Sequence, residues 1–244
     1  MNAATAALFV IAVGLVAGAI SGVIGTGSSV MLLPVLVYAF GPKAAIPIMS
    51  IAAIFGNLAR VMAWWRAVDW RAVAAYALPG APAASLGART MLTLPSHAID
   101  IGLGVFFLCV IPLRRWHAAS GLRLRWWQVS IAGAAIGFLT GIVLSTGPLS
   151  VPVFLSYGLA GGAFLATEAA SSVALYASKA ATFRQLGALP LTIVLQGLMV
   201  GASLMVGTYG GKAVVVRIRP AVFQRLMDGL MVCSGLSLLW AGLR

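Results

Sequence analysis

Acid is what this sequence has least of. Four Asp and Glu stand against 16 Lys and Arg, a formal net charge of +12, and only 8% of the 244 residues are charged. A soluble domain carries about 25% charged residues, so a water-facing surface cannot be built from this chain. Metal-dependent lipid chemistry needs clustered acids, and Asp69, Asp100, Glu168 and Asp228 are scattered singly. The two histidines, His97 and His117, fall near loops, which leaves a serine nucleophile without a base at membrane depth. The two cysteines, Cys109 and Cys233, lie in apolar runs and are expected as small core residues, not as a disulfide or metal site. Neither an enzyme nor a cofactor is expected.

What is abundant is apolar: 61% hydrophobic residues, with a mean hydropathy of +1.05. The runs are continuous, not alternating as in a β-barrel, so an all-α integral membrane protein is expected, one in which backbone polar groups pair within each helix. Most basic residues flank these runs, which reads as topology and headgroup signals and not as a nucleic-acid footprint. The N-terminus, MNAATAALFVIAVGLVAGAI, lacks a basic region before its apolar run and reads as a retained first span.

Gly, Pro and Arg clusters cut the chain into ten apolar segments, near 5–25, 29–40, 43–64, 71–92, 96–113, 127–146, 148–160, 162–185, 188–212 and 220–242. A crossing takes about 20 residues, so the second and seventh are short and read as half-helices. The basic stretch 114–126 separates a first repeat, 1–113, from a second, 127–244. The halves echo each other: Gly18 and Gly22 match Gly137 and Gly141 at an offset of 119 (137 less 18), and Arg60 falls on Lys179 at the same offset. Thr26-Gly27 matches Thr146-Gly147, and Pro34 matches Pro152, at nearly that spacing. Basic residues gather in the third-to-fourth loop (Arg60, Arg66, Arg71), the central linker and the ninth-to-tenth loop (Lys212 to Arg225), which puts all three in the cytoplasm. Five segments per half is odd, so the repeats are expected to be inverted, with about 8–10 helices in all.

The two breaks read SGVIGTGSSVMLLP from Ser21 and TGIVLSTGPLSVP from Thr140. A helix starting inside the bilayer leaves its first N–H groups without partners, and such an end favours an anion. Ser28, Ser29, Thr146 and Ser150 are expected to cap or line these ends, with Pro148 at a first helical position. Small residues also serve tight packing in membrane helices; for any single glycine that is the simpler reading. The pairing of two breaks in corresponding positions points instead to a transporter's binding region. No GK[ST] follows either break, which speaks against nucleotide binding.

Ionisable groups within spans are functional by default. Glu168, Ser172, Leu175 and Lys179 share one helical face, and Arg60 follows Asn57 by nearly one turn. Snorkelling to headgroups is the competing reading for Arg60 and Lys179. The candidate binding set is therefore Gly25, Thr26, Gly27, Ser28 and Ser29 at the first break and Ser145, Thr146 and Gly147 at the second. Asn57, Arg60, Ser172 and Lys179 complete it, with Glu168 as a proton-coupling candidate.

The G-x-x-x-G-x-x-G-x-G run with its polar break, the following proline, the basic linker and the repeat at Thr146-Gly147-Pro148 resemble the sulfite exporter TauE/SafE family of bacterial permeases, over essentially the whole chain. The first break reads GTGSS, where that family often has a longer glycine run. The resemblance implies a multi-pass protein of the bacterial inner membrane that carries a small sulfur-containing anion, such as sulfite or an organosulfonate, with export by alternating access. An anion channel, or a carrier for another small organic anion, is the alternative. The expected partners are the anion and the lipid bilayer, with a homodimer left open and no nucleic acid.

Overall fold

The computed structural model describes residues 3–24, 28–119, 123–143 and 146–210, together with 228–229, 232–233, 235–237, 239–240 and 243. Among them nine α-helices follow in order: α1 (Ala3–Ile24), α2 (Ser28–Phe40), α3 (Pro42–Trp64), α4 (Trp70–Thr93), α5 (Ser96–Ala119), α6 (Trp126–Ile142), α7 (Gly147–Tyr157), α8 (Gly161–Gln185) and α9 (Leu191–Gly210). No strand occurs among the described residues. The expected ninth-to-tenth loop, Lys212 to Arg225, lies outside them. Two helix ends differ from expectation. α5 continues to Ala119, because 114–119 contains neither Gly nor Pro to stop it, and α6 ends at Ile142, before Thr146.

Asp69 starts α4 as a side-chain cap, its carboxylate accepting from the N–H groups of Arg71 and Ala72. Gly158 ends α7 in the left-handed conformation, φ 104°, and the N–H of Leu159 reaches back to Phe154 O, as a helix-terminating glycine permits. Stretches Lys43–Ala67 and Leu191–Gly210 are long and apolar enough to cross a membrane, and α1, α4, α5 and α8 are 22, 24, 24 and 25 residues long. By contrast α2 has 13 residues and α7 has 11, or about 20 and 17 Å at 1.5 Å per residue, against a hydrocarbon core of roughly 30 Å.

Glycine sets how the long helices pack. A Cβ added at Gly133 would lie 2.3 Å from Tyr76 O, at Gly137 2.3 Å from Gly80 O, and at Gly141 2.4 Å from Ala84 O, so α6 runs parallel to α4 with backbone against backbone. The same arrangement joins α1 to α9, where a Cβ at Gly14 would meet Ser203 and the Gly18 carbonyl accepts from Thr208. Such approach without a side chain between is how membrane helices gain van der Waals contact. α8 also runs parallel to α4, since Thr167 accepts from Asp69 N, Ser178 donates to Ala81 O, and Ser85 bonds Thr182. α9 runs parallel to α3, with Gly197 at Ile48 and Ile51 and Gly201 at Phe55. α3 and α8 are antiparallel: Trp64 covers Gly162, and Arg60 lies against Glu168. Helices α1, α3 and α9 therefore point one way, and α4, α6 and α8 the other. α2 carries the chain back between two parallel helices, and so does α7.

The outer faces are apolar, with Leu78, Ile131 and Val206 exposed, while Trp64, Trp65, Trp70, Trp126 and Trp127 stand exposed at helix ends, as expected of interfacial anchors. The cysteine reading needs correction. Cys109 and Cys233 are exposed, not core, because apolarity alone does not separate a face turned to lipid from one turned inward.

Candidate functional site

Glu168 lies in the first third of α8, on the side turned to α3 and α7, and is 2% exposed. Its Oε1 accepts from Ser150 Oγ and from Ser172 Oγ, both at 2.9 Å. Its Oε2 lies 3.0 Å from Arg60 Nη1. Arg60 also donates to Asn57 Oδ1, and Asn57 Nδ2 donates to Ala53 O at 2.8 Å. Glu168 thus draws on three helices: Arg60 of α3 supplies charge, Ser150 of α7 and Ser172 of α8 supply hydroxyls. Burying a carboxylate is tolerable only with such pairing. Nearby, Ser171 Oγ is buried without a hydrogen-bond partner among the described residues.

Three turns further along α8, Lys179 is fully buried. Its Nζ donates to Thr140 O and Val143 O, both at 2.6 Å, and lies 5.7 Å from the Phe183 ring centroid, within cation–π range. Those carbonyls belong to the last turn of α6 and to Val143, the residue that caps it, where C-terminal oxygens have no intrahelical partner. A cation there also opposes the negative end of the helix dipole. Lys179 therefore terminates α6 inside the bundle. The snorkelling reading fails for both cations, since Lys179 is fully buried and Arg60 is 7% exposed. For the same reason Arg60 does not belong with the exposed loop residues Arg66 and Arg71.

The first turn of α7 joins the two clusters. Thr146 precedes it, bonded through its hydroxyl to the Thr140 hydroxyl, and Ser150 closes it, donating to Gly147 O and to Glu168. Of the two roles expected of Thr146, to cap or to line the helix end, it makes no side-chain cap and stands buried at that end with its hydroxyl on Thr140. A proline occupies the first turn, where a missing N–H is harmless. Among the described residues the buried charged ones are Arg60, Glu168 and Lys179: two cations less one carboxylate leaves one positive charge in that set.

The structure brings together Asn57, Arg60, Glu168 and Ser172, and places Lys179 at a separate end of the same arrangement. Gly147 opens α7. Ser28 opens α2, its hydroxyl donating to Ser21 Oγ at 3.3 Å. Gly25, Thr26, Gly27 and Ser145 lie outside the described residues, as does the side chain of Ser29. Sequence reasoning named Ser150 only to cap or line the break and missed Thr140. Ser150 was within reach, standing one turn beyond Thr146. Thr140 carries no local signal, since its role is set by Lys179 of a neighbouring helix.

The model of the sulfite exporter TauE/SafE family matches residues 10–238. The chain belongs to that family. Membership makes this TauE/SafE chain a membrane protein of a transporter family, and the match takes in every residue of the two buried clusters. The comparison with curated proteins found no match, and neither did the comparison with solved structures.

Proposed function

We propose that this TauE/SafE protein carries a small sulfur-containing anion, such as sulfite or an organosulfonate, outward across the bacterial inner membrane. The observation that carries the reading is the excess of buried cations over carboxylates among the described residues, Arg60 and Lys179 against Glu168, around the first turn of α7. A buried excess charge is unfavourable until a counter-ion meets it, and the N-terminal end of a helix favours that counter-ion being an anion. An anion leaving a negative-inside cell moves downhill by about 2.3 kcal/mol per charge per 100 mV.

The mechanism is alternating access of two inverted repeats, 1–113 and 127–244, around α2 and α7 as half-helices. The helix directions support it. Exchanging α1 with α6, α3 with α8 and α4 with α9 reverses every direction and maps the α1–α9 pair onto α6–α4. Repeats related in that way can rock about a fixed central site.

Calorimetric titration of the purified protein with sulfite, sulfate, thiosulfate and small sulfonates tests the reading, beside Ser172→Ala, Arg60→Ala, Lys179→Ala and Gly147→Val. Saturable binding of one anion, weakened about tenfold or more in folded Arg60→Ala, as loss of a charge-assisted hydrogen bond requires, supports it. Binding of none, or binding indifferent to every substitution, removes it.

A further inference from the structure

We propose that the Glu168 carboxylate is itself the tenant of the anion site, and that substrate enters only when Glu168 has taken up a proton. The proposal rests on the anion-carrier reading above and adds its coupling. Two hydroxyls, Ser150 and Ser172, and one guanidinium, Arg60, surround the carboxylate. That is the donor set a small oxyanion needs. Here the chain's own oxyanion fills it.

These donors cannot hold two anions together. A substrate oxygen within hydrogen-bond reach of them would stand about 4 Å from the carboxylate, where repulsion between like unit charges inside a protein outweighs one net hydrogen bond. Protonation removes the repulsion and turns the carboxyl into a donor as well. Oε2 accepts no hydroxyl hydrogen bond among the described residues and faces Arg60, so it becomes the oxygen open to the proton only as substrate takes over the Arg60 charge. Substrate then takes the Ser150 and Ser172 hydroxyls and faces Arg60 in place of the carboxylate.

Charge balance favours the same cycle. The empty carrier holds Arg60 against ionised Glu168, and the loaded carrier holds Arg60 against a substrate anion beside neutral Glu168. Neither form buries an extra charge from this cluster, whereas substrate beside ionised Glu168 does. Each anion therefore travels with one proton. The electrical drive then remains for fully ionised sulfite, a dianion, which still moves one charge, whereas a monoanion such as an organosulfonate moves none and leaves only down its own concentration gradient.

The groups around Glu168 are few. Arg60 and Asn57 face it from α3 and Ser150 from α7, and Tyr76 of α4 lies within electrostatic range. Asp69 stands beside the adjoining Thr167, while Tyr176 and Lys179 follow on α8 itself. Arginine and tyrosine ordinarily keep their protonation state across neutral pH. Lys179 is about 16 Å along the helix, and the glutamine substitution below separates its titration from that of Glu168.

The test is proton counting. Full-length protein in weakly buffered detergent solution, with a pH-indicator dye, is titrated with sulfate and methanesulfonate, whose own charges stay constant across neutral pH. The wild type is expected to absorb about one proton per anion bound, and its Kd to rise up to about tenfold per pH unit on the alkaline side. Glu168→Gln, which mimics the protonated carboxyl, is expected to bind with no proton uptake and an affinity that ignores pH. Binding by the wild type without proton uptake overturns the proposal and leaves the anion site standing, and so does unchanged proton uptake in Glu168→Gln. Saturable binding of no probe, sulfite included, by either protein overturns the anion site and the proposal with it. If Glu168→Gln does not fold, the proton count is repeated with Lys179→Met: uptake that persists supports the proposal, and uptake that vanishes with Lys179 overturns it.

Discussion

Arg60 of α3 and Glu168 of α8 meet at 3.0 Å across the boundary between the two halves of the chain. In the sequence Lys179 stands 119 residues after Arg60 (179 less 60), and the tertiary fold gives the two cations different work. Arg60 holds a carboxylate, while Lys179 holds two carbonyls at the end of α6.

Removing either member of the Arg60–Glu168 pair leaves the other buried without this counter-charge. Arg60→Ala and Glu168→Ala are each expected to lose roughly 3–5 kcal/mol of stability. The double variant should lose clearly less than the sum, since residues in contact are not additive. Thermal or denaturant unfolding in detergent, run as a double-mutant cycle, checks this. An additive result would remove the pair as an interacting unit.

Gly137 has no space for a side chain, its Cβ position being 2.3 Å from Gly80 O. Even Gly137→Ala must push α4 and α6 apart, with an expected loss of about 1–3 kcal/mol for overpacking. Gly102 on α5 meets nothing within 4 Å, so Gly102→Ala should be neutral or stabilising by up to about 1 kcal/mol from helix propensity. Melting temperatures of the two variants in the same detergent should move in opposite directions or differ clearly in size.

Lys179→Met keeps the length of the side chain and removes its charge. Two carbonyls at the end of α6 would then lack their donor, at a cost of about 1.5–3 kcal/mol for each charged hydrogen bond. Limited proteolysis is expected to find a new cut near residues 143–147 that the wild type resists. A wild-type digestion pattern would show that Lys179 does not hold this break together.

Helix direction gives a topological expectation. Arg66 follows Trp64, which covers Gly162 at the start of α8, whereas Gln185 ends α8, so the two stand at opposite ends of the bundle. In a protein with both native cysteines replaced by serine, Arg66→Cys should react with a charged maleimide only from the cytoplasmic side. Gln185→Cys should react only from the outside. Labelling of both from one side would contradict the antiparallel placement of α3 and α8.

Much of the fold was legible because its causes are local. Scarcity of charge and unbroken apolar runs make a helical membrane protein, whatever the packing. Glycine and proline interrupt hydrogen bonding within a turn of where they stand, so the short segments after Gly27 and Thr146 could be read from the chain alone. Tryptophan placement near helix ends was legible for the same reason. The family resemblance, too, came from the order of such local features.

Partnership was not legible. No periodicity tells α8 to run beside α4 and against α3; that follows from where glycines let two backbones touch. Cys109 looked interior because it is apolar, and only the assembled bundle shows which side of α5 faces outward. Glu168 and Lys179 were correctly placed on one stripe of a helix. What each holds depended on which atoms other helices carried to it: two hydroxyls and a guanidinium for one, the open end of α6 for the other. Local chemistry determined the membrane class, the spans and their breaks. The tertiary structure decided the charge pairing, because the interaction between two side chains depends on distance in space, and distance along the chain does not measure it.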